Sequence, residues 1–347
     1  MSERIFGAVA AGIALAALAT ALPAAAQSDK AQSAKASSYK MPKTPWGEPD
    51  LQGLWPIGHM AGTPLVRPKE FGTRRFFTEE EFKQRQQRDE QLAERYDNEN
   101  KENKIGMGHW DESGQAQRIT SFIVEPEDGQ FPELTDWAKE QAKTMGSSWF
   151  RTTWDRPEDF DTWDRCITRG LPASMFPMHY NNGIQIVQSP GYVVIRLEMI
   201  HEARIIPTTN QPLDPAVKQW LGSSQGHWEG NTLVVETTHF NGIPAMTNIG
   251  TIGSPRGNVP ESTELHLTER FTRISDDEME YSIHVDDPKV LKQPWTAAYN
   301  WKRDPEYGMY EYACAEGDEQ VRNYIVTSRY DRAHPDEKSQ QQAPRQQ

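Results

Sequence analysis

The chain has 347 residues and a formal net charge of −13 at pH 7, and it contains 11 tryptophans and two cysteines. An acidic chain repels the phosphate backbone of nucleic acids, and no basic stripe is present, so we expect no nucleic acid partner. The length allows one large domain or two small ones.

The N-terminus predicts a secretory signal peptide over residues 1–26. A short segment with Arg4 precedes an Ala-rich apolar run, and small residues follow at positions 24–26. Signal peptides have this order, and we expect cleavage after Ala26. A single-span anchor is the alternative, because the apolar run approaches the length that crosses a bilayer. The sequence therefore predicts a periplasmic or secreted protein that is not inserted in the membrane after cleavage.

Composition divides the rest of the chain. Residues 27–43 and 333–347 are poor in apolar side chains, which predicts a flexible lead-in and a disordered tail. Residues 44–165 are rich in Pro and Trp and predict a loop-rich region packed on the main domain. The segment Thr78-Glu79-Glu80-Glu81 is a capping box and predicts a surface helix, and residues 134–145 predict a second, short one.

Residues 166–332 alternate apolar and polar side chains and predict a mainly β domain. Residues 184–188 and 192–199 flank a Ser-Pro-Gly turn, which indicates a hairpin. Further short strands without intervening helices predict an antiparallel meander. Closure into a lipocalin-like barrel would remove its exposed edges, and a two-layer β-sandwich is the alternative.

Cys166 and Cys314 are the two cysteines. In an oxidising compartment an even pair predicts a disulfide, which would tie the start of the β region to its end. Two free thiols or a cysteine nucleophile are the alternatives.

Several motifs, distributed over nearly all of the mature chain, are specific in combination. They are TPWGEPDLQGLW (residues 44–55), RCITRGLP (165–172), HYNNGIQIVQSPGYVVIRLEMIHEARIIP (179–207), GHWEGNTLVVETTHF (226–240), LTERFTRI (267–274), DDPKVLKQPW (286–295) and EYACAEG (311–317). Together they resemble a family of exported bacterial proteins, abundant in environmental proteobacteria and acidobacteria and mostly catalogued as hypothetical. Relatives often carry a His after the second Cys, where this chain has Ala315. The strand pattern is also similar to lipocalin-like barrels, as an analogy of fold alone.

The first hairpin gathers most of the candidate catalytic residues. Glu198, His201 and Arg204 are close in sequence and could supply an acid/base pair and an anion clamp, or only a turn with a surface salt bridge. Tyr180 could stabilise developing negative charge. Glu269 shares a strand face with apolar residues, and a carboxylate there is either paired or raised in pKa.

The candidate ligand-binding residues are polar or aromatic and lie near the same strands: His179, Asn182, Arg196, His239, Trp228 and Trp295. Each also has an ordinary structural interpretation, namely turn chemistry, a solvent-facing strand position, a core histidine or core packing. No H-E-x-x-H, H-x-H or C-x-x-C motif is present, so we expect no metal. Cofactor fingerprints and the G-x-S-x-G elbow are also absent.

The sequence leads to three functional hypotheses. The first is a periplasmic, metal-independent lyase, hydratase or isomerase acting on a small apolar or aromatic molecule, with His201 as general base oriented by Glu198. The second is a non-catalytic carrier of a hydrophobic ligand. The third is carbohydrate recognition through Trp228, Trp295 and Trp301. A cavity with convergent titratable groups favours the enzyme, whereas an apolar lining with a few polar anchors favours the carrier.

Overall fold

The computed structural model describes residues 39–104, 114–211, 213–243, 259–314 and 318–335. The predicted signal peptide, most of the lead-in and most of the C-terminal tail lie outside the described residues. Among the described residues, no helix has an apolar stretch long enough to span a membrane.

Two antiparallel sheets organise the described residues. The first has the order β1-β3-β4-β5 and the second the order β2-β10-β9-β8-β7-β6. The strands are β1 (Gly53–Leu54), β2 (Ile123–Glu125), β3 (Ile184–Ser189), β4 (Tyr192–Leu197), β5 (Ala203–Pro207), β6 (Ser223–Glu229), β7 (Thr232–Thr238), β8 (His266–Arg273), β9 (Glu278–Asp286) and β10 (Trp295–Lys302). The prediction of a mainly β, antiparallel protein is confirmed.

Strand alternation explains which side chains reach the core. In β8, Leu267, Glu269 and Phe271 are buried while Arg270 is exposed, because successive residues point to opposite faces of a sheet. The buried faces of the two sheets share one hydrophobic cluster. Trp301 lies at its centre, with its ring 4.8 Å from that of Tyr281 and 5.6 Å from that of Phe271.

The predicted lipocalin-like barrel is not formed by the described residues. Strands β5 and β6 are edge strands of different sheets, and no ladder joins them. Instead, Arg204 of β5 contacts Glu269 of β8 through their side chains, so the two sheets meet face to face. This arrangement is consistent with the alternative prediction, a two-layer sandwich.

Three α-helices accompany the sheets in the described part: α1 (Glu79–Lys101), α2 (Asp136–Ala142) and α3 (Glu319–Ala333). The predicted capping box begins α1, where the Glu81 amide donates to Thr78 Oγ1 and the Thr78 amide donates to Glu81 Oε2. None of the α1 residues is buried, as expected for a surface helix. Helix α3 was not predicted from the sequence.

The predicted disulfide is confirmed. Cys166 and Cys314 are bonded, with an S–S distance of 2.09 Å and a sequence separation of 148 residues. The bond holds the segment that enters α3 against the loops that precede β3.

Candidate functional site

A cleft of about 480 Å³ lies beside the disulfide. One wall comes from the loops between residues 149 and 181, and the other from residues 311–314 and 318–321. The disulfide joins these walls, and Cys314 itself lines the cleft. The volume is in the range of small-molecule sites.

A row of four aromatic rings lines this cleft. Trp149 lies parallel to Trp163 at 6.4 Å between ring centroids, and Tyr180 lies parallel to Tyr312 at 6.5 Å. Trp163 connects the two pairs, since its ring is 6.4 Å from that of Tyr180. We call Trp149, Trp163, Tyr180 and Tyr312 the aromatic row. The four rings all line the cleft, with Trp149 strongly exposed and Trp163 only 5% exposed.

A buried aspartate shapes the loop that carries Trp149. Asp161 accepts hydrogen bonds from Ser147 Oγ at 2.6 Å and from the Ser148 amide at 3.0 Å. Burial raises the pKa of Asp161 to about 6, although these two donors oppose the shift. Trp149 Nε1 donates to Asp164 Oδ1 at 3.1 Å, which fixes the orientation of the indole.

The loop before β3 presents Tyr180. Asn182 closes it by accepting from the Met178 amide at 2.6 Å and donating to the Met178 carbonyl at 2.9 Å. Asn181 adopts φ = 54°, a conformation that Asn tolerates better than most residues. Burial and the neighbouring Tyr312 raise the pKa of Tyr180, so it faces the cleft as a neutral hydroxyl.

Three carboxylates line the same cleft: Asp164, Glu311 and Asp318. Among the described lining residues there is no Lys, Arg or His. Burial raises the pKa of Asp318, and the negative charge of Asp164 adds to the shift. The cleft therefore combines aromatic faces with negative charge.

The predicted pairing of His201 with the Glu198 carboxylate is not present. Glu198 is 2% exposed, and its carboxylate accepts four hydrogen bonds. The donors are Asn181 Nδ2 at 3.1 Å, the Gly183 amide at 2.9 Å, Tyr307 Oη at 2.7 Å and the Tyr310 amide at 2.9 Å. Glu198 thus fixes the backbone around Tyr180. His201 is partly exposed, and its Nε2 lies 3.9 Å from Glu311 Oε1 at the rim of the cleft.

Arg204 and Glu269 form a buried ion pair inside the core and do not line the cleft. Arg204 Nη1 donates to Glu269 Oε1 at 2.9 Å, and Nη2 contacts Oε2. Tyr281 Oη donates to the same carboxylate at 3.0 Å. The two alternatives for Glu269 are resolved in favour of pairing, and the pair lies in the core where the two sheets meet.

The remaining predicted site residues do not converge. Trp295 is 1% exposed and lies in the core, where it offers no surface to a ligand. Arg196 points to solvent from β4, and His179 is exposed beside Tyr180. The half-buried residues Trp228 and His239 lie in or next to β6 and β7, and His239 Nδ1 is 2.7 Å from Thr238 Oγ1. Of the predicted residues, Tyr180 is the one that lines the cleft.

Sequence reasoning missed Trp149, Trp163, Tyr312 and the three carboxylates of the cleft. They lie outside the β pattern that directed attention to the first hairpin. A signal was nevertheless present, because Trp163 and Tyr312 flank the two cysteines that were predicted to pair.

A second cavity, of about 600 Å³, lies between the outer face of β9 and β10 and the start of α1. It is lined by charges of both signs, namely Arg75, Arg118 and Lys302 together with Glu278 and Glu280. Burial and the charge of Lys302 lower the pKa of His59, which also lines it, to about 4. A base this weak abstracts protons poorly near neutral pH. In the described residues, no group of three or more His, Cys, Asp or Glu side chains is arranged to hold a metal ion.

Comparison with known proteins gives no relative: no family model, no curated protein and no solved structure matches the chain.

Proposed function

We propose that the cleft beside the disulfide binds a small molecule with at least one flat face, and that the protein is a carrier of such a ligand. The aromatic row carries this proposal. Aromatic rings stack on flat ligands and gain free energy beyond that of simple area burial. Trp149 is 62% exposed, and a large apolar side chain in an open cleft is typical of a binding surface.

The buried polar residues that the sequence singled out do not line the cleft. Glu198 and Asn182 shape the loop that presents Tyr180, and Arg204 and Glu269 join the two sheets. The proposed site is therefore an aromatic surface supported from behind by buried polar contacts. The aromatic row supports the carrier, while the three carboxylates of the lining are titratable groups and keep acid/base catalysis as the second candidate.

The test is ligand binding by the mature protein with its disulfide intact. Binding of benzyl alcohol, indole and methyl glucoside is measured by calorimetry and by quenching of tryptophan fluorescence. Trp149→Ala should weaken binding about tenfold, since one stacking contact of about 1 kcal/mol and its apolar area are lost. Phe150→Ala is the matched control, because Phe150 is adjacent and 68% exposed but does not line the cleft. Equal effects of the two substitutions would contradict the proposal.

Acid/base catalysis in the same cleft is the second candidate. One observation favours it: His201 Nε2 lies 3.9 Å from Glu311, which lines the cleft. A His beside a carboxylate is a common general base. A compound that binds is incubated with the protein and analysed by mass spectrometry. Conversion by the natural protein, absent in His201→Gln despite retained binding, would support catalysis, and an unchanged compound would leave the carrier function alone.

We also propose that the protein acts outside the cytoplasm. Its disulfide is compatible with export. The test is the N-terminal sequence of the protein isolated from a periplasmic fraction. A chain that begins at Gln27 would support cleavage after Ala26, and an intact N-terminus in a membrane fraction would support the anchor instead.

A further inference from the structure

The described lining of the cleft carries negative charge only. Its three lining carboxylates, Asp164, Glu311 and Asp318, are not matched by any Lys, Arg or His among the described lining residues. Asp318 and Asp164 are close enough for one charge to disfavour ionisation of the other. Such a site contains more negative charge than its own residues neutralise.

Two basic residues near the cleft, Arg169 and His201, do not line it. Arg169 lies behind Tyr180 and Tyr312, but it is 3% exposed and does not line the cleft. Burial lowers the pKa of Arg169 to about 10, so it remains charged, and Glu202 faces it in the interior. His201 stands outside the lining, 3.9 Å from Glu311.

Aromatic faces and carboxylates favour the same kind of group. The face of an aromatic ring is the negative pole of its quadrupole and attracts cations, most strongly when the cation sheds water easily. Trp149 donates from its indole Nε1 to Asp164 Oδ1, so a carboxylate lies at the edge of an exposed aromatic ring. Asp164 accepts hydrogen bonds from Ser148 and Trp149, but these neutral donors leave its negative charge in place, so a sugar or a neutral aromatic molecule would use the rings without compensating the charge of the lining.

We infer that the ligand is an organic cation, with an ammonium group held between the aromatic row and the carboxylates of Asp164 and Asp318. This inference rests on the proposed function and adds the charge of the ligand to it. A quaternary ammonium group fits best in chemical terms, because it is weakly hydrated and interacts with several ring faces at once.

The experiment compares a cation with a neutral molecule of the same shape. Choline and 3,3-dimethylbutan-1-ol differ by the exchange of a positive nitrogen for carbon, and benzyltrimethylammonium and neopentylbenzene form a second, aromatic pair. Their binding to the mature, oxidised protein is measured by calorimetry at low salt. We expect each cation to bind at least about tenfold more tightly than its neutral counterpart.

Substitution of a carboxylate separates charge from shape. Asp318→Asn should weaken binding of the cations about fivefold to tenfold and leave the neutral compounds unchanged. Asp318 is the N-cap residue of α3, and asparagine is as common at this position as aspartate, so the substitution should not destabilise the helix. Glu319→Gln is the matched control, since Glu319 is the next residue, is exposed and does not line the cleft. It should change affinity less than twofold.

The outcomes distinguish the inference from the function on which it rests. Cations and neutral compounds that bind equally, with binding still sensitive to Trp149→Ala, would overturn the inference and leave the proposed function in place. Binding of none of the compounds would overturn both. Equal effects of Asp318→Asn and Glu319→Gln would also overturn the inference, because the charge effect would then not be local to the cleft.

Discussion

At the scale of single residues, carboxylates that are buried or half-buried have three different surroundings in this protein. Glu198 accepts four hydrogen bonds, and Glu269 pairs with Arg204. Glu261 instead lies close to Asp287, and burial followed by that charge raises the pKa of Glu261 to about 9. The sequence singled out Glu198 because His201 and Arg204 are close to it in the chain, and Glu269 because it shares a strand face with apolar residues. It could not show their partners, since these come from distant segments such as Tyr307 and Arg204.

Glu261 predicts a dependence of stability on pH. Its pKa is higher in the folded state than in the unfolded chain, so Glu261 is neutral when folded and ionised when unfolded between pH 4.5 and about 9. Its contribution to the free energy of unfolding should therefore fall as pH rises through this window. Glu261→Gln should remove that fall and increase stability at pH 8 relative to pH 5. Urea denaturation at pH 5 and pH 8 measures the free energy of unfolding of both proteins. The same change in this free energy between the two pH values in the variant and in the natural protein would contradict the raised pKa of Glu261.

The ion pair between the sheets predicts a large effect of a single substitution. Glu269→Gln would leave the charge of Arg204 buried without its partner, at a cost of about 3–5 kcal/mol in the free energy of unfolding. The double variant Arg204→Met/Glu269→Leu should be less destabilised, because neither member of the pair then stays buried without the other, and Ser224 still contacts Thr237 at 2.9 Å. Chemical denaturation measures the free energy of unfolding of the single and the double variant. A double variant as unstable as the single one would show that shape, not charge, dominates here.

At the scale of elements, the sequence predicted what depends on local pattern. Helix α1 was predicted because Thr78 and Glu81 form its N-terminal capping box. Helix α3 was missed although Asp318 and Glu319 are acidic residues of the kind that begin helices, because the helix buries only Ser328 and no apolar stripe marks it. The strands were found by alternation. Alternation defines the inner face of a strand but not whether the edges of β5 and β6 join, so the sequence could not decide between barrel and sandwich.

The capping box offers a test at this scale. Thr78→Ala should destabilise the first turn of α1 by about 1 kcal/mol, because the amide of Glu81 loses its acceptor. Since α1 buries no residue, the loss should stay local. Hydrogen exchange of the amides near the start of α1 should accelerate about fivefold while those of β9 stay unchanged. A fall in protection across β9 as well would contradict the description of α1 as a surface helix.

At the scale of the whole molecule, the cleft depends on a bond between distant parts of the chain. Trp163 precedes Cys166, Tyr312 precedes Cys314, and these cysteines are 148 residues apart. Outside the bond, α3 rests on the rest of the protein through a few contacts, such as that of the Trp154 amide with Ser328 Oγ at 2.9 Å. The sheets have their own core, which does not include this region.

Loss of the disulfide should therefore weaken ligand binding while the two sheets stay folded. In Cys166→Ser/Cys314→Ser, we expect ligand affinity to fall at least about tenfold, because the wall that carries Tyr312 is no longer tied to the wall that carries Trp163. Hydrogen exchange should show protected β8 and β9 but rapid exchange in α3. Unchanged affinity in this variant would show that noncovalent contacts suffice to assemble the cleft.

If the protein is exported and binds a ligand as proposed, the covalent bond between the walls makes ligand capture a property acquired during maturation. A newly made chain in a reducing environment can pair its strands, yet its two binding walls are not joined. Oxidation after export would complete the cleft, so the protein would pass through the cytoplasm without competing for ligands there and would become competent only at its destination.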